Sequence, residues 1–182
     1  MHIVVVCGTN RKGALSRNLA TEVAESYRQR GATVDLLDMA ELPVSALHED
    51  AYKEPAAEVT ALVDRFLKSD GVVFIVPEYN GSYPGVLKLF TDMLPYPEGF
   101  DSRPCAFIGL AAGQFHGLRA VEHYQGVAGY RNAHVYPRRL FIGNSYSQFV
   151  DGKLGDDELT KRLHGQAEGF LKFVEAVKAD PA

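Results

Sequence analysis

The sequence predicts an α/β domain: a five-stranded parallel sheet of doubly wound order 2-1-3-4-5 with helices on both faces. Three observations carry this expectation. Apolar, β-branched runs recur at 3–7, 71–76 and 105–110, too continuous for strands with one wet face. Between them apolar residues fall at helical spacing, so strands and helices alternate. The chain's 182 residues, 46% of them hydrophobic and 23% charged, suffice for one domain over 1–182 with a core that needs no disulfide or metal.

The elements follow in order. Ile3-Val4-Val5-Val6-Cys7 is the first strand, ended by Gly8. Leu19, Val23 and Tyr27, flanked by Ala20 and Ala24, give the first helix one apolar face, and Gly31 closes it. Thr33–Leu37 is a weaker strand, and its Asp35 places it at an edge. A charged loop from Met39 to Glu54 leads to Pro55, suited to open a helix whose apolar face is Val59, Leu62, Val63, Phe66 and Leu67. Gly71–Val76 is the third strand, Val86–Leu94 a short helix, and Cys105–Leu110 the fourth strand. Leu118–Tyr130 is helical. Ala133–Ile142 holds a fifth strand, interrupted by Pro137 and two arginines and therefore expected at an edge. A last helix from about Asp156 to Ala179 turns Leu159, Leu163, Phe170, Val174 and Val177 to the core.

Composition narrows the function. Nineteen basic against twenty-three acidic residues give a net charge of −4, which argues against a dedicated nucleic-acid binder. No stretch approaches the ~20 apolar residues of a membrane-spanning helix. The opening MHIVVVCG lacks the basic flank and cleavage site of a signal peptide, so a cytoplasmic protein is expected. The two cysteines, Cys7 and Cys105, show no zinc spacing. In a parallel sheet they end and start strands at opposite edges, and two buried free thiols are expected.

In a doubly wound sheet, ligands sit beyond the carboxyl ends of the strands, which singles out three loops. The first, Gly8–Asn18, carries Arg11, Lys12 and Arg17 with small and hydroxyl residues, and abuts a helix N-terminus. Free amides, helix dipole and cations make an anion site suited to a phosphate. It contains neither GK[ST] nor GxGxxG, and the bland alternative is a polar loop with Ser16 as helix cap. The second, Pro77-Glu78-Tyr79-Asn80-Gly81-Ser82-Tyr83-Pro84-Gly85, combines a tightly turned backbone with two tyrosines. It suits a flat aromatic ligand, or else tyrosines that pack on neighbouring elements. The third, Ala111–Gly117, has small residues that let backbone approach a ligand.

Gly8-Thr9-x-Arg11 with Ser16-Arg17 after the first strand, and Pro77-Glu78-Tyr79-Asn80 with Pro84-Gly85-x-Leu87-Lys88 after the third, resemble the NADPH-dependent FMN reductase family. Azobenzene, quinone and chromate reductases belong to it. The likeness runs through the Ala112-Gly113 loop and Val135-Tyr136-Pro137. It implies a flavodoxin-like three-layer sandwich. It also implies noncovalent FMN, with NADPH or NADH as hydride donor to the flavin N5, and a quinone, azo compound, metal oxyanion or free flavin as final acceptor. Carried over by position, Thr9, Arg11, Leu15, Ser16 and Arg17 hold the FMN phosphate. Pro77, Glu78, Tyr79 and Asn80 line the isoalloxazine ring, and Ala112, Gly113 and Gln114 form the third flavin loop. No residue is assigned as catalytic, because the flavin carries the chemistry. Ala14 stands where many relatives have serine and Ser16 where many have asparagine.

The helix after PEYN, Lys88-Leu89-Phe90-Thr91-Asp92, departs from the family's usual Lys-Asn-Ala-Ile-Asp; that helix commonly lies at the family's dimer interface. Tyr83, Leu87, Phe90 and Leu94 put apolar area near the flavin rim, so a homodimer, or a tetramer built from it, is expected. His116 is read as a solvated loop residue, with contact to substrate as the alternative. A flavodoxin-like electron carrier and a flavin-binding regulatory module are the competing functions. The modest net charge and the cationic first loop weigh against the carrier.

Overall fold

The computed structural model describes residues 1–179. Its main sheet runs β2-β1-β3-β4-β5, every neighbour parallel, which is the expected order. β1 (His2–Cys7), β3 (Gly71–Pro77) and β4 (Pro104–Leu110) are the central strands, and β3 and β4 are buried along their whole length. β2 (Thr33–Asp38) is half-exposed over its first four residues, as an edge strand with an outward aspartate should be.

Side chains alternate across a strand, and the core divides accordingly. Ile3, Val5 and Cys7 face α1 (Leu15–Arg28) and the long C-terminal helix, through Leu19, Val23, Tyr27, Phe170 and Val174. Val4 and Val6 face α2 (Ala57–Leu67), α3 (Gly85–Met93) and α4 (Leu118–Tyr130), through Phe66, Phe90 and Tyr124. Phe74 sits at the heart of this second layer, with its ring centroid 5.0–6.2 Å from those of Phe66, Phe100, Phe107 and Tyr124.

The fifth strand is interrupted as expected, into β5 (His134–Val135) and β6 (Leu140–Ile142), both parallel to β4. Pro137 lacks an N–H and interrupts the ladder between them. Three other expectations are corrected. Pro55 precedes helix α2 rather than opening it, since Ala56 is the N-cap. The loop after Gly143 holds a helical turn, α5 (Ser145–Gln148), and a hairpin, β7 (Phe149–Val150) with β8 (Lys153–Leu154), before α6 (Asp157–Ala179). Finally, Leu87, Phe90 and Leu94 are at most 4% exposed and serve the chain's own core, while Tyr83 packs edge-on against Tyr124. Leu87, Phe90 and Leu94 therefore supply no spare apolar surface for a second subunit, and Tyr83 is half-buried.

Cys7 and Cys105 are free and buried. Burial, aided at Cys7 by the Asp38 charge, pushes the Cys7 thiol up to about 11 and the Cys105 thiol up to about 12, so both are neutral at physiological pH.

Candidate flavin site

The β1, β3 and β4 carboxyl ends lie side by side, Cys7 beside Ile75 and Pro77 beside Leu110. The three loops therefore share one rim. Gly8 starts the first loop by donating its amide to Ile75 O at 3.0 Å. A Cβ there would stand 2.6 Å from that same oxygen, so the close approach requires glycine. Thr9 is buried, its Oγ1 2.5 Å from Tyr79 Oη, and it accepts from Arg11 N at 3.2 Å. One hydroxyl thus ties the first loop to the second.

Helix α1 begins at Leu15 with Ala14 as N-cap, without a side-chain cap and without an acid in its first turn. Ser16 is not the cap. It lies inside the first turn, 1% exposed, and its Oγ is buried with no hydrogen-bond partner. Arg11 is exposed and places its guanidinium 6.0 Å from the Tyr79 ring centre; it makes no ion pair among the described residues. Arg17 turns instead to Asp38 at the end of β2, Nη2 to Oδ2 at 2.8 Å. That oxygen is otherwise buried without a hydrogen bond.

The second loop extends the sheet by one bond, Glu78 N to Leu110 O at 2.9 Å. It then reverses through Asn80 (φ 51°) and Gly81 (φ 78°), with Tyr79 and Ser82 exchanging both backbone bonds. Two successive positive φ angles are what an Asn-Gly pair supplies in a type I′ turn. The Glu78 carboxylate is used as well as its backbone. Oε1 accepts from Arg119 Nε at 3.1 Å and Nη2 at 2.5 Å, while Oε2 is buried and unpartnered. Arg119, in the first turn of α4, escapes a reading of the sequence. Its signal is a lone acid in an otherwise uncharged loop, matched by an arginine in the first turn of α4, the helix that follows the third loop of the same rim.

In the third loop Gly113 is open, with no atom within 4 Å of where a Cβ would stand. Gly117 (φ 79°) is the N-cap of α4; a Cβ there would sit 2.6 Å from Leu110 N. Gln114 is exposed. His116 is exposed too, and its ring packs over Gly143, which matches the bland reading. A fourth segment, which the sequence did not single out, completes the rim: Ser145 N donates to Ala111 O at 3.0 Å and brings Tyr146 alongside.

Two adjoining cavities result. An inner one of about 130 Å³ is lined by Arg11, Ala14, Leu15, Ser16, Pro77, Glu78, Tyr79, Leu110, Ala111, Ala112, Ser145 and Tyr146. An outer one of about 160 Å³ is lined by Glu78, Asn80, Gly81, Ala111, Ala112, Gly113, Phe115 and Arg119. Of the expected residues, Arg11, Leu15, Ser16, Pro77, Glu78, Tyr79, Asn80, Ala112 and Gly113 line one or both. Thr9 stands behind Tyr79, Arg17 beside Asp38, and Gln114 outside both cavities. The residues fit FMN. An unpaired cation, first-turn amides and an orphaned buried hydroxyl meet at one end of the rim, and an open glycine with a tightly turned backbone lies at the other.

A sheet of this order with an anion loop at its switch point defines a flavodoxin-like nucleotide-binding protein. Comparison with known proteins narrows the class. A profile of the NADPH-dependent FMN reductase family matches residues 1–147. The chain is 32% identical to a 2-hydroxy-1,4-benzoquinone reductase of a Burkholderia species, with 96% of each chain covered. It is 26% identical to an Escherichia coli quinone reductase, over 98% of this chain and 97% of that one. It superposes with a TM-score of 0.80 on FerB, a flavoenzyme NAD(P)H:(acceptor) oxidoreductase from Paracoccus denitrificans, at 26% identity over 96% and 97% of the two chains. The chain belongs to the NADPH-dependent FMN reductase family, and it is an FMN- and NAD(P)H-using oxidoreductase.

Proposed function

We propose that the protein passes two electrons from NAD(P)H to a small quinone, with FMN held noncovalently across the two cavities. The net reaction is NAD(P)H + H⁺ + quinone → NAD(P)⁺ + hydroquinone; FMN, when bound, supplies the carrier for the hydride. The observation that carries this reading is the polarity of the rim. The free Arg11 cation and the unpartnered Ser16 hydroxyl lie at the α1 end, and the aromatic, small-residue cavity lies at the α4 end.

In this reading Arg11, the α1 amides, Leu15 and Ser16 hold the phosphate, and Thr9 fixes Tyr79 beside them. Pro77, Glu78, Tyr79 and Asn80 bound the ring on one side and Ala112 and Gly113 on the other, with Gln114 at the rim's margin. Arg17 neutralises the buried Asp38 carboxylate at the edge of the loop. Backbone amides of the second and third loops beside the ring would stabilise negative charge on the reduced flavin. The relatives named as quinone reductases, an azoreductase and an FMN reductase support acceptors that are small molecules, and the quinone reductases among them support a quinone.

The reading places the protein in the cytoplasm as a homodimer. In support, no helix among the described residues is long and apolar enough to cross a membrane. Val44, Leu47 and Tyr52, 62–82% exposed, form apolar surface beside α3. Light scattering at micromolar concentration should give twice the 20.0 kDa chain mass; a monomer would contradict the assembly.

The test of the reaction is anaerobic. The purified protein should carry or take up FMN, lose its yellow colour on addition of NADPH or NADH, and regain it on addition of a stoichiometric quinone. Bound flavin that neither nicotinamide bleaches would overturn the reading.

A further inference from the structure

The rim end opposite the phosphate loop holds a charged pair, of which Arg119 has no task in the reading above. The Glu78 side chain is 9% exposed, and Arg119 donates two N–H groups to its Oε1. The same guanidinium stacks over Phe115, 4.5 Å from its ring centre, and lies 3.9 Å from where a Cβ on Gly81 would stand. It therefore straps the outer cavity from the second loop to the third. A guanidinium has five N–H donors. The three not used on Glu78 have no acceptor among the described residues, and the Arg119 side chain is 51% exposed. Phe115 is 53% exposed and adds aromatic surface to the cavity lining.

We infer that Arg119 determines acceptor specificity: its free donors, on the solvent side of the flavin beside the exposed Phe115, receive the anionic oxygen of a planar acceptor, so the protein favours ionised hydroxyquinones over neutral quinones of similar size. The inference deepens the reading of the rim as a quinone-reducing site and rests on it. Its physical basis is preorganisation. Glu78 fixes the guanidinium plane before the acceptor arrives, so little side-chain freedom is lost on binding. Because Glu78 balances the Arg119 charge, the pair exerts little field at a distance, and recognition is confined to an oxygen within hydrogen-bonding reach. A neutral quinone carbonyl gains a hydrogen bond there; an ionised oxygen gains a charge-assisted one, roughly twice as strong. The anionic oxygen is unchanged in the reaction, and the ring takes the hydride and proton as for any quinone.

The test compares 2-hydroxy-1,4-naphthoquinone, ionised at neutral pH, with neutral 2-methyl-1,4-naphthoquinone, using the full-length FMN-loaded protein with NADPH. In Arg119→Gln the ratio of kcat/KM values, anionic over neutral, should fall about tenfold, mainly through KM, and Arg119→Lys should recover part of it. The dissociation constant of the hydroxyquinone for the oxidised protein, from quenching of flavin fluorescence, should weaken by the same factor. Because Arg119→Gln strands a buried carboxylate, Glu78→Gln with Arg119→Gln serves as a second variant and should show the same loss of ratio. Equal losses for both quinones would reduce Arg119 to a structural partner of Glu78 and overturn the inference alone. A wild-type protein that reduces neither quinone would overturn the inference together with the reading beneath it.

Discussion

The two ends of the sheet solve the same problem in opposite ways. At the amino end, Arg103 is taken from water and satisfied. It donates to Gly99 O, Ser69 O and Ser69 Oγ at 2.8 Å each and to Glu98 O at 3.1 Å, with its guanidinium over the Phe66 ring. Asp70 beside it takes His2 N and Lys178 Nζ. At the carboxyl end, Ser16 Oγ, Asp38 Oδ2 and Glu78 Oε2 are buried without hydrogen bonds, three of the five such side-chain atoms among the described residues. An unsatisfied buried polar atom costs about 1–3 kcal/mol; Asp38 Oδ2 has the Arg17 ion pair, whereas Ser16 and Glu78 line the cavities of the carboxyl rim, where a ligand can satisfy them.

Substitutions should separate the two ends. The largest effect belongs to the scaffold. Phe74→Ala empties the centre of the aromatic cluster and should lower unfolding free energy by about 3–5 kcal/mol in urea titration, without altering the preference for FMN over riboflavin. Arg103→Ala should follow at about 2–3 kcal/mol, since it strands several carbonyls at once, again with no change in flavin preference. A shift in that preference from either variant would dissolve the distinction between the ends.

A smaller effect has a pH signature. Arg65 donates to both oxygens of Asp35, each at 2.8 Å, and holds that carboxyl below its usual range. A lowered folded-state pKa adds stability that is present above the unfolded value and lost as pH falls through the folded one. Asp35→Asn should therefore cost about 1 kcal/mol at pH 7. The gap to wild type should close as both are acidified below the ordinary aspartate range. A gap that persists in acid would mean the loss is of shape rather than charge. The smallest effect on stability sits at the site: Ser16→Ala removes an unsatisfied hydroxyl and should leave stability within about 0.5 kcal/mol or raise it, while weakening FMN severalfold. A marked loss of stability would show that Ser16 already has its partner in the unliganded chain.

How much of this is legible in the sequence follows from what is local. Runs such as Ile3–Cys7 and Cys105–Leu110 announce buried strands by composition alone, and with helices between them the sheet order follows. Gly8 and Asn80-Gly81 announce tight backbone because few other residues adopt it. Long-range pairing is not written locally. Arg17 reads as a phosphate cation until Asp38, 21 positions on, lies against it. Arg119 reads as a surface residue until Glu78 meets it. Leu87, Phe90 and Leu94 read as spare apolar area until α3 settles into the core. Ser145 and Tyr146 lie in a stretch without periodicity and reach the rim only because β6 pairs with β4.

The central claim, that the carboxyl rim holds FMN with the first loop on its phosphate, is tested most directly by titrating FMN and riboflavin into wild type and Arg11→Ala. The two ligands share ring and ribityl chain and differ by the phosphate. Hydrogen bonds to charged groups contribute about 1.5–3 kcal/mol, and Arg11 is exposed with Lys12 beside it, so FMN should weaken by about tenfold while riboflavin affinity stays the same. Equal losses for both flavins, or none for either, would contradict the assignment of the loop.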